Sequence, residues 1–292
     1  MKPLRTLLFA PCTRPELMAK AQDSTADGLI FDLEDSVPVH AKAQARQAVA
    51  QALAHGLKKP TLVRINHPRA GDALADLEAL GHRPLSSLMG VILPKAEATA
   101  DIEWLSARLA EIEARGGWSA GSLKILPLIE TCLGLRNTYD LARASERVCG
   151  MSLASAEQGD FMVDLGGRWT PASLALAYPR SKMVVDARAA GLSWLVDGVF
   201  MNLADASALQ AECLLARELG FIGKMAIHPN QVDVMHQVFS PSAQEVEYAR
   251  GLLEAFRAAE AQGIGAVRYQ GMMVDYANVR LAERTLALAQ ER

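Results

Sequence analysis

The sequence predicts an α/β protein built as a (β/α)8, or TIM, barrel with a C-terminal helical extension. Short runs rich in Val, Ile and Leu recur along the 292 residues, and each is followed by polar residues and an Ala-rich stretch with helical spacing. The runs come at intervals of roughly 30 residues, and eight such units fit a closed parallel barrel. An open, doubly wound sheet with an extra lobe is the alternative that periodicity leaves open.

Eight segments are the predicted strands. They are TLLFA from Thr6, GLIFDLED from Gly28, TLVRIN from Thr61, GVILPK from Gly90, KILPLIE from Lys124, CGMSLA from Cys149, KMVVDA from Lys182 and GKMAIHP from Gly223. A ninth apolar run, VDGVF from Val196, is interpreted as loop packing between the last two units. The barrel is therefore expected to occupy residues 1–235.

Residues 236–292 differ from the repeating units and are predicted to form a helical extension. Ser242 and Glu245 form a capping box before an amphipathic helix that Gly263 closes. A Gly-containing hairpin or loop and a final helix follow. This segment exceeds what a barrel needs, and a lid, an oligomer arm and simple packing are the three roles left open for it.

Composition and charge argue against several classes of function. The chain has 30 Lys and Arg against 33 Asp and Glu, with no basic stripe of the kind that nucleic-acid binding requires. Pro11, Arg14 and Glu16 interrupt the N-terminal apolar run before it reaches signal-peptide length. No apolar stretch approaches the roughly 18 residues of a membrane span. The four cysteines lack zinc-site spacing. We expect a cytoplasmic protein that partners neither nucleic acid nor membrane.

Charged or polar side chains follow every predicted strand, at the end of the barrel where enzymes of this fold carry their active sites. They are Arg14, Asp32, Glu34, Asp35, Arg64, Asn66, Lys95, Glu97, Glu130, Glu157, Asp160, Asp186, Arg188 and His228. Carboxylates that face arginines across one opening can bind a hard divalent cation and leave positions for water and substrate. Without His or Cys partners, Mg2+ or Mn2+ is favoured over Zn2+. For any one residue, ordinary loop solvation is the alternative.

A set of ordered motifs carries a resemblance that runs from end to end. The motifs are LLFAPCTRPELMAKA, DGLIFDLEDSV, LVRIN, VILPKAE, PLIET, GDFMVDLG and LGFIGKMAIHPNQVDVMHQVFSPSAQEVEYAR. Through them the chain resembles the citrate lyase beta-subunit-like family, within the wider group of Mg2+-dependent aldolases and malyl-CoA or citramalyl-CoA lyases. The resemblance implies a (β/α)8 barrel and a homo-oligomer, usually a trimer or hexamer.

The resemblance also implies roles for individual residues. Glu130 and Asp160 are implied as ligands of Mg2+, and the tail QGMMVD resembles a lid whose Asp275 reaches the site of a neighbouring protomer. The implied catalytic residues are Arg64, Glu130 and Asp275. Contacts with substrate, or a place beside the metal, are implied for Arg64, Glu130, Arg14, Lys20, Glu34 and Asp35.

The function implied is Mg2+-dependent cleavage of a 3-hydroxyacyl-CoA, of the citramalyl-CoA, malyl-CoA or citryl type, to a 2-oxo acid and a short acyl-CoA. A thioesterase or malate-synthase-like enzyme, an aldolase on free 2-oxo acids, and a non-catalytic subunit of a lyase assembly are the alternatives. Two departures from the family pattern leave the acyl group open: Cys12 stands where Gly is common, and Gln158 and Gly159 precede Asp160.

Overall fold

The computed structural model describes residues 4–81, 84–171 and 174–290. Eight parallel strands form a closed barrel in which each strand pairs with the next and the last pairs with the first. The strands are β1 (Thr6–Pro11), β2 (Gly28–Asp32), β3 (Thr61–Arg64), β4 (Leu88–Leu93), β5 (Lys124–Ile129), β6 (Gly150–Leu153), β7 (Trp194–Asp197) and β8 (Gly223–Ala226). The predicted (β/α)8 barrel is confirmed.

Helices connect the strands and cover the outside of the barrel. They are α1 (Pro15–Ala21), α2 (Lys42–His55), α3 (Ala73–Glu78), α4 (Thr99–Gly116), α5 (Cys132–Arg136), α6 (Thr138–Arg143), α7 (Asp160–Leu165), α8 (Leu174–Ala189), α9 (Ala206–Leu219) and α10 (Val232–Phe239). Short 3-10 turns occupy Val39–Ala41, Pro68–Ala70 and Pro229–Gln231. None of the helices in the described ranges combines the length and the apolar character that crossing a membrane requires.

Apolar side chains fill the barrel and align its strands. The core includes Leu7, Ile30, Leu62, Ile92, Leu126, Val196 and Met225, contributed by seven of the strands. These strands are buried on both faces, as parallel strands covered by helices are. The register pairs Asp32 with Arg64 at the carboxyl ends of β2 and β3. The polar residues that end the strands are therefore brought to one rim.

The seventh strand lies downstream of its predicted position. The segment KMVVDA belongs to helix α8, and the run interpreted as loop packing supplies the end of β7 at Val196 and Asp197. Two successive valines resemble a strand, but burial in α8 recurs at the helical spacing of Leu176, Met183 and Ala187. Tertiary packing of this one face explains why the helix forms.

Two candidate residues therefore lie away from the barrel opening. Asp186 and Arg188 lie in the last turn of α8 and follow no strand. Asp186 pairs with Lys182 one helical turn earlier, and Arg188 donates to the carbonyl oxygens of Leu192 and Gly220. Their contacts are those of a helix end, so neither belongs to the candidate site.

The chain divides after His236 into two compact units, and the second begins at Gln237. The second unit contains α11 (Ala243–Glu260), an antiparallel hairpin of β9 (Val267–Tyr269) and β10 (Met272–Val274), and α12 (Tyr276–Gln290). Ser242 and Glu245 form the predicted capping box before α11, which ends three residues before Gly263. Its own core includes Leu252, Phe256, Val274 and Ala282. The lid role of this unit stays a prediction.

Candidate active site

Acidic side chains from three strand ends converge at the carboxyl end of the barrel. Glu34 and Asp35 follow β2, Glu130 directly follows β5, and Asp160 begins α7 after β6. The ammonium of Lys95, which follows β4, lies among them. Its Nζ is 2.6 Å from Glu34 Oε1, 3.2 Å from Asp35 Oδ2, 2.9 Å from Asp160 Oδ2 and 3.7 Å from Glu130 Oε2. Four predicted site carboxylates therefore surround one cation.

Glu130 is a buried acid, with only 4% of the residue exposed. The backbone N–H of Lys95 donates to its Oε2 at 2.9 Å, and this contact uses a left-handed backbone at Lys95, with φ +48°. A non-glycine residue in this region is strained, and such strain concentrates at functional sites. Burial and then the charge of Glu34 raise the pKa of Glu130 to about 7, although Lys95 and Arg64 oppose the change.

Arg64 ends β3 and is held by the carboxylate that ends β2. Its Nε and Nη2 donate to the two oxygens of Asp32, each at 2.7 Å, and its Nη1 lies 3.0 Å from Glu34 Oε2. Its Cζ lies 5.0 Å from the centre of the Phe9 ring. Burial opposes ionisation of Asp32, but Arg64 holds the pKa of Asp32 below its usual range. Asp32 thus fixes the plane of the guanidinium.

The loop after β2 is fixed by polar contacts with the loop after β3. Lys42 Nζ donates to the carbonyl oxygens of Leu33 at 3.0 Å and Glu34 at 3.3 Å, and to Asn66 Oδ1 at 2.5 Å. Asn66 Nδ2 in turn donates to Asp76 Oδ2 at 2.6 Å. Because these groups hold the backbone, Glu34 and Asp35 are presented at a defined position.

A buried ion network lies behind the opposite wall. Asp197, at the end of β7, pairs with Arg180 at 2.9 Å and with Lys224 at 2.6 Å. Glu212 pairs with Arg180 at 2.9 Å and with Lys224 at 2.8 Å. The two positive and two negative charges cancel, and each charge offsets part of the desolvation cost of burying the others. Asp197 is therefore a structural group, unlike the carboxylates at the opening.

The network joins the candidate site through Ser155. Its Oγ donates to Asp197 Oδ1 at 2.8 Å, and it accepts the Gly198 N–H at 3.1 Å. A Cβ at position 198 would lie 2.4 Å from the backbone nitrogen of Ser155. Only glycine allows the loops after β6 and β7 to approach this closely. This contact sets the position of the chain that leads from Ser155 to Asp160.

A cavity of about 500 Å³ opens above these groups. Its polar and its apolar lining residues come mainly from different strands. Polar groups come from the ends of β2, β3, β5 and β6, namely Asp32, Asp35, Ser36, Arg64, Glu130, Gln158 and Asp160. Apolar groups come mainly from β1, β7 and β8, namely Phe9, Ala10, Val199, Met201, Met225 and Ile227, with Leu128 of β5. A small acid with an apolar substituent matches such a cavity.

The donor set of the opening suits a hard divalent cation. Its side-chain donors are carboxylate oxygens, which Mg2+ and Mn2+ prefer, and the acids outnumber the two cations, Arg64 and Lys95. Within residues 4–81, 84–171 and 174–290, no three His, Cys, Asp or Glu side chains are grouped to hold a metal by themselves. Glu130 and Asp160 would therefore be two ligands, and water and substrate oxygens would supply the rest.

The structure brings together only part of the predicted residue set. Arg64, Glu130, Asp160, Glu34 and Asp35 share one opening, as described above. The other three predicted residues are exposed: Arg14 pairs with Glu16 at 2.7 Å, Lys20 lies on α1, and Asp275 precedes α12 in the second unit. The described lining of the cavity includes none of these three. Their proposed roles stay predictions.

Lys95 is the site residue to which sequence reasoning assigned no role. Its place after a strand end put it among the charged candidates, but a lysine in a loop is usually solvated. The one available signal was that a single cation follows β4 while acids follow β2, β5 and β6. The contacts that give it a central position need the three-dimensional fold.

Two family models match the chain. A family model described as HpcH/HpaI aldolase/citrate lyase matches residues 5–229, and one described as C-C bond lyase of the TIM-barrel fold matches residues 181–291. The chain is 33% identical to the citrate lyase subunit beta of Haemophilus influenzae over 292 residues, which cover 99% of this chain and 98% of the relative.

Two further relatives are named for other activities. A (3S)-malyl-CoA thioesterase of Cereibacter sphaeroides is 33% identical over 290 residues, covering 99% of this chain and 95% of the relative. The human mitochondrial citramalyl-CoA lyase is 31% identical over 296 residues, covering 98% of this chain and 86% of the relative. Similarity of this extent is shared by proteins with different activities.

Among solved structures, the protein CitE from Mycobacterium tuberculosis in complex with magnesium, acetoacetate and coenzyme A is similar along its length. The TM-score is 0.77 at 31% identity, and the match covers 99% of this chain and 98% of that chain. The barrel, the rim of carboxylates and the full-length matches lead to one conclusion. The chain belongs to the HpcH/HpaI aldolase/citrate lyase family and is a carbon–carbon lyase.

Proposed function

We propose that this chain cleaves a 3-hydroxyacyl-CoA of the citramalyl-CoA, malyl-CoA or citryl type into a 2-oxo acid and a short acyl-CoA. The observation that carries the proposal is the convergence of Glu130 and Asp160 beside Arg64 at one opening. The CitE structure, with magnesium, acetoacetate and coenzyme A bound, supports this class of ligand.

Glu130 and Asp160 would hold the Mg2+ in this proposal. Bound there, Mg2+ supplies Lewis-acid polarisation of the substrate hydroxyl oxygen that becomes the oxo group. The protein ligands differ in environment, because 5% of the Glu130 side chain is exposed and 48% of the Asp160 side chain is exposed. Glu130 is therefore fixed in place, and Asp160 faces the cavity from which substrate enters.

Arg64 stabilises the second product as it forms. The substrate hydroxyl gives its proton to a water beside Glu34 or Asp35, and its oxygen becomes the oxo group as the bond between the two substrate carbons breaks. The electron pair of that bond passes to the thioester fragment, and negative charge develops on the thioester oxygen. A guanidinium has five N–H donors; Asp32 accepts two from Arg64, and Glu34 lies beside a third. Further donors are available to the thioester oxygen, and the cation stays protonated throughout.

Asp275 supplies the proton that converts this fragment to an acyl-CoA. In the proposal the second unit of a neighbouring subunit brings Asp275 to the site, within a homo-oligomer of three or six chains. The coenzyme A phosphates are contacted by Arg14 and Lys20, which are exposed. The cavity itself takes only the acyl part, since its volume is about 500 Å³.

The proposal is tested with the purified chain and a panel of citramalyl-CoA, malyl-CoA and citryl-CoA. A lyase releases 2-oxo acid and acyl-CoA in equal amounts and no free thiol. Chelation with EDTA abolishes the release, and Mg2+ restores it. Glu111→Gln, at an exposed pair with Arg108 outside the cavity, is the matched control for Glu130→Gln. Full turnover after chelation would show that the metal-dependent proposal is wrong.

A thioesterase is the second candidate. The Cereibacter relative bears that name, and in this reaction Asp275 would act as the general base that activates water. This activity releases free CoA and the intact hydroxy acid. Thiol detection together with an assay for the 2-oxo acid separates the two candidates in one reaction.

A further inference from the structure

We propose that Lys95 is the resident counter-ion of the metal site: its ammonium balances Glu130 and Asp160 while the metal is absent, and withdraws to Glu34 and Asp35 when the metal binds. The inference rests on the proposed function, because it requires a divalent cation at Glu130 and Asp160. It assigns Lys95 as a positioning residue that acts through the ligands and also sets the affinity for the metal.

The first observation is that Lys95 Nζ already contacts the oxygens that a metal would use. Nζ lies 2.9 Å from Asp160 Oδ2 and 3.7 Å from Glu130 Oε2. A divalent cation bound to the same two oxygens would be repelled by an ammonium so close to them. The two cations therefore compete for one position.

The second observation is that Lys95 has other partners within reach. Nζ lies 2.6 Å from Glu34 Oε1 and 3.2 Å from Asp35 Oδ2, both on the loop after β2. A lysine side chain has a flexible stem of four carbons, and 34% of the Lys95 side chain is exposed. Nζ can thus leave Asp160 and Glu130 and keep two carboxylates, so withdrawal leaves no unpaired charge.

The third observation is that the backbone N–H of Lys95 can contact Glu130 both with and without the metal. Its N–H donates to Glu130 Oε2 at 2.9 Å through the left-handed backbone at φ +48°. The main chain orients one metal ligand while the side chain exchanges partners. A substitution of the side chain alone leaves this contact in place, so the role of the ammonium can be tested separately.

Lys95→Met removes the charge and keeps an unbranched side chain that is one atom shorter. After treatment with EDTA, Mn2+ and Mg2+ are titrated by calorimetry, and melting temperatures are measured with and without metal. We expect Lys95→Met to melt lower than wild type without metal and to bind Mn2+ about tenfold more tightly, since a competing charge has gone. Lys95→Arg keeps the charge, and its affinity should stay near that of wild type.

Lys58→Met is the control, because Lys58 pairs with Asp23 at 2.6 Å and 70% of its side chain is exposed. Lys95→Gln replaces Lys95→Met if the latter does not fold, and the same tighter binding is expected. Equal or weaker metal binding by the uncharged variant overturns this inference and leaves the proposed function standing. Absence of metal binding by the wild-type chain overturns both.

Discussion

Arg64 and Asp32 form a two-armed ion pair across the adjoining ends of β3 and β2, with both N–O distances at 2.7 Å. Asp32 is buried and also accepts the backbone N–H of Glu34 at 3.0 Å. One carboxylate therefore fixes both the arginine and the start of the acidic loop. The orientation of Arg64 is set before any substrate arrives.

Asp32→Asn tests this relationship. The amide keeps the volume but loses the charge and one of the two acceptor oxygens, so Arg64 is less well oriented. We expect kcat/KM for the preferred thioester to fall roughly a hundredfold, the effect of a displacement of about 1 Å at a reacting centre. Asp27→Asn is the control. Asp27 lies just before β2 and pairs with Arg5 instead of Arg64. Similar losses in both variants would contradict the prediction.

Glu130→Gln and Asp160→Asn should both lower activity, and Glu130→Gln should also change stability. Each substitution removes a proposed metal ligand, so we expect metal-dependent turnover to fall more than about a hundredfold. Loss of a residue that only supports a ligand usually has a smaller effect. Because burial disfavours the ionised form of Glu130, Glu130→Gln should also raise the melting temperature of the metal-free protein near pH 8. Calorimetry with EDTA checks this, and a lower melting temperature would be the opposite result.

Asp275 offers a test in which two substitutions give different results. Its Oδ1 accepts the Ala277 N–H at 2.8 Å before α12, as an N-cap does. Asn keeps this cap, whereas Ala loses it at a cost of about 1 kcal/mol. If Asp275 transfers a proton, Asp275→Asn should lose turnover with unchanged thermal stability. Full activity in Asp275→Asn would reduce the role of Asp275 to capping.

Glu113 and Arg147 should give the protein a pH-dependent stability. Their two hydrogen bonds are 2.7 Å and 2.6 Å long. Burial of Glu113 raises its pKa, but Arg147 and the amides of Leu123 and Gly121 outweigh it and hold the pKa at about 2, below the ordinary 4.5. The contribution is complete above pH 4.5 and is lost as the pH falls through 2.

Glu113→Gln removes this contribution. Near pH 7 we expect a loss of about 3 kcal/mol in the free energy of unfolding, as for other broken buried pairs. The wild-type and variant stabilities should converge as the pH approaches 2. Urea unfolding across the pH range measures both effects, and a difference that is constant with pH would be inconsistent with the linkage.

Lys224→Met probes the buried network. The substitution leaves two carboxylates with one cation in a dry environment, and we expect a loss of about 3–5 kcal/mol in stability. Adding Glu212→Gln restores the charge balance and should recover part of it. Thermal melts of the single and double variants give the coupling between the two sites. Additive losses would mean that the pair does not act as one unit.

Much of this fold was predictable because the barrel is built from repeated strand and helix units, and each unit leaves a pattern in the local sequence. Seven of the eight predicted strands overlap the strands in the structure, and β7 was missed because Val184 and Val185 resemble a strand more than the short run Trp194–Asp197 does. Leu176, Met183 and Ala187 recur at helical spacing, but Arg180 is buried on the same face. A charged residue on that face hid the pattern.

The candidate site was predictable where it depends on strand ends and unpredictable where it depends on tertiary contacts. Arg64, Glu130 and Asp160 could be placed because parallel strands deliver their ends to one rim. The central position of Lys95 could not, since its φ of +48° follows from the turn after β4 and not from its side chain. Likewise, the charged partners of Asp197 come from helix α8 and from the neighbouring strand β8.

The cavity keeps most of its charged lining and most of its apolar lining on different arcs of the barrel. Val199 and Met201 follow β7, and Met225 lies on β8, away from the strand ends that present Arg64 and Glu130. Selection can therefore enlarge or narrow the apolar arc to admit a longer or shorter acyl chain while the reacting groups stay unchanged. Relatives with different substrates can diverge in this way without rebuilding the chemistry.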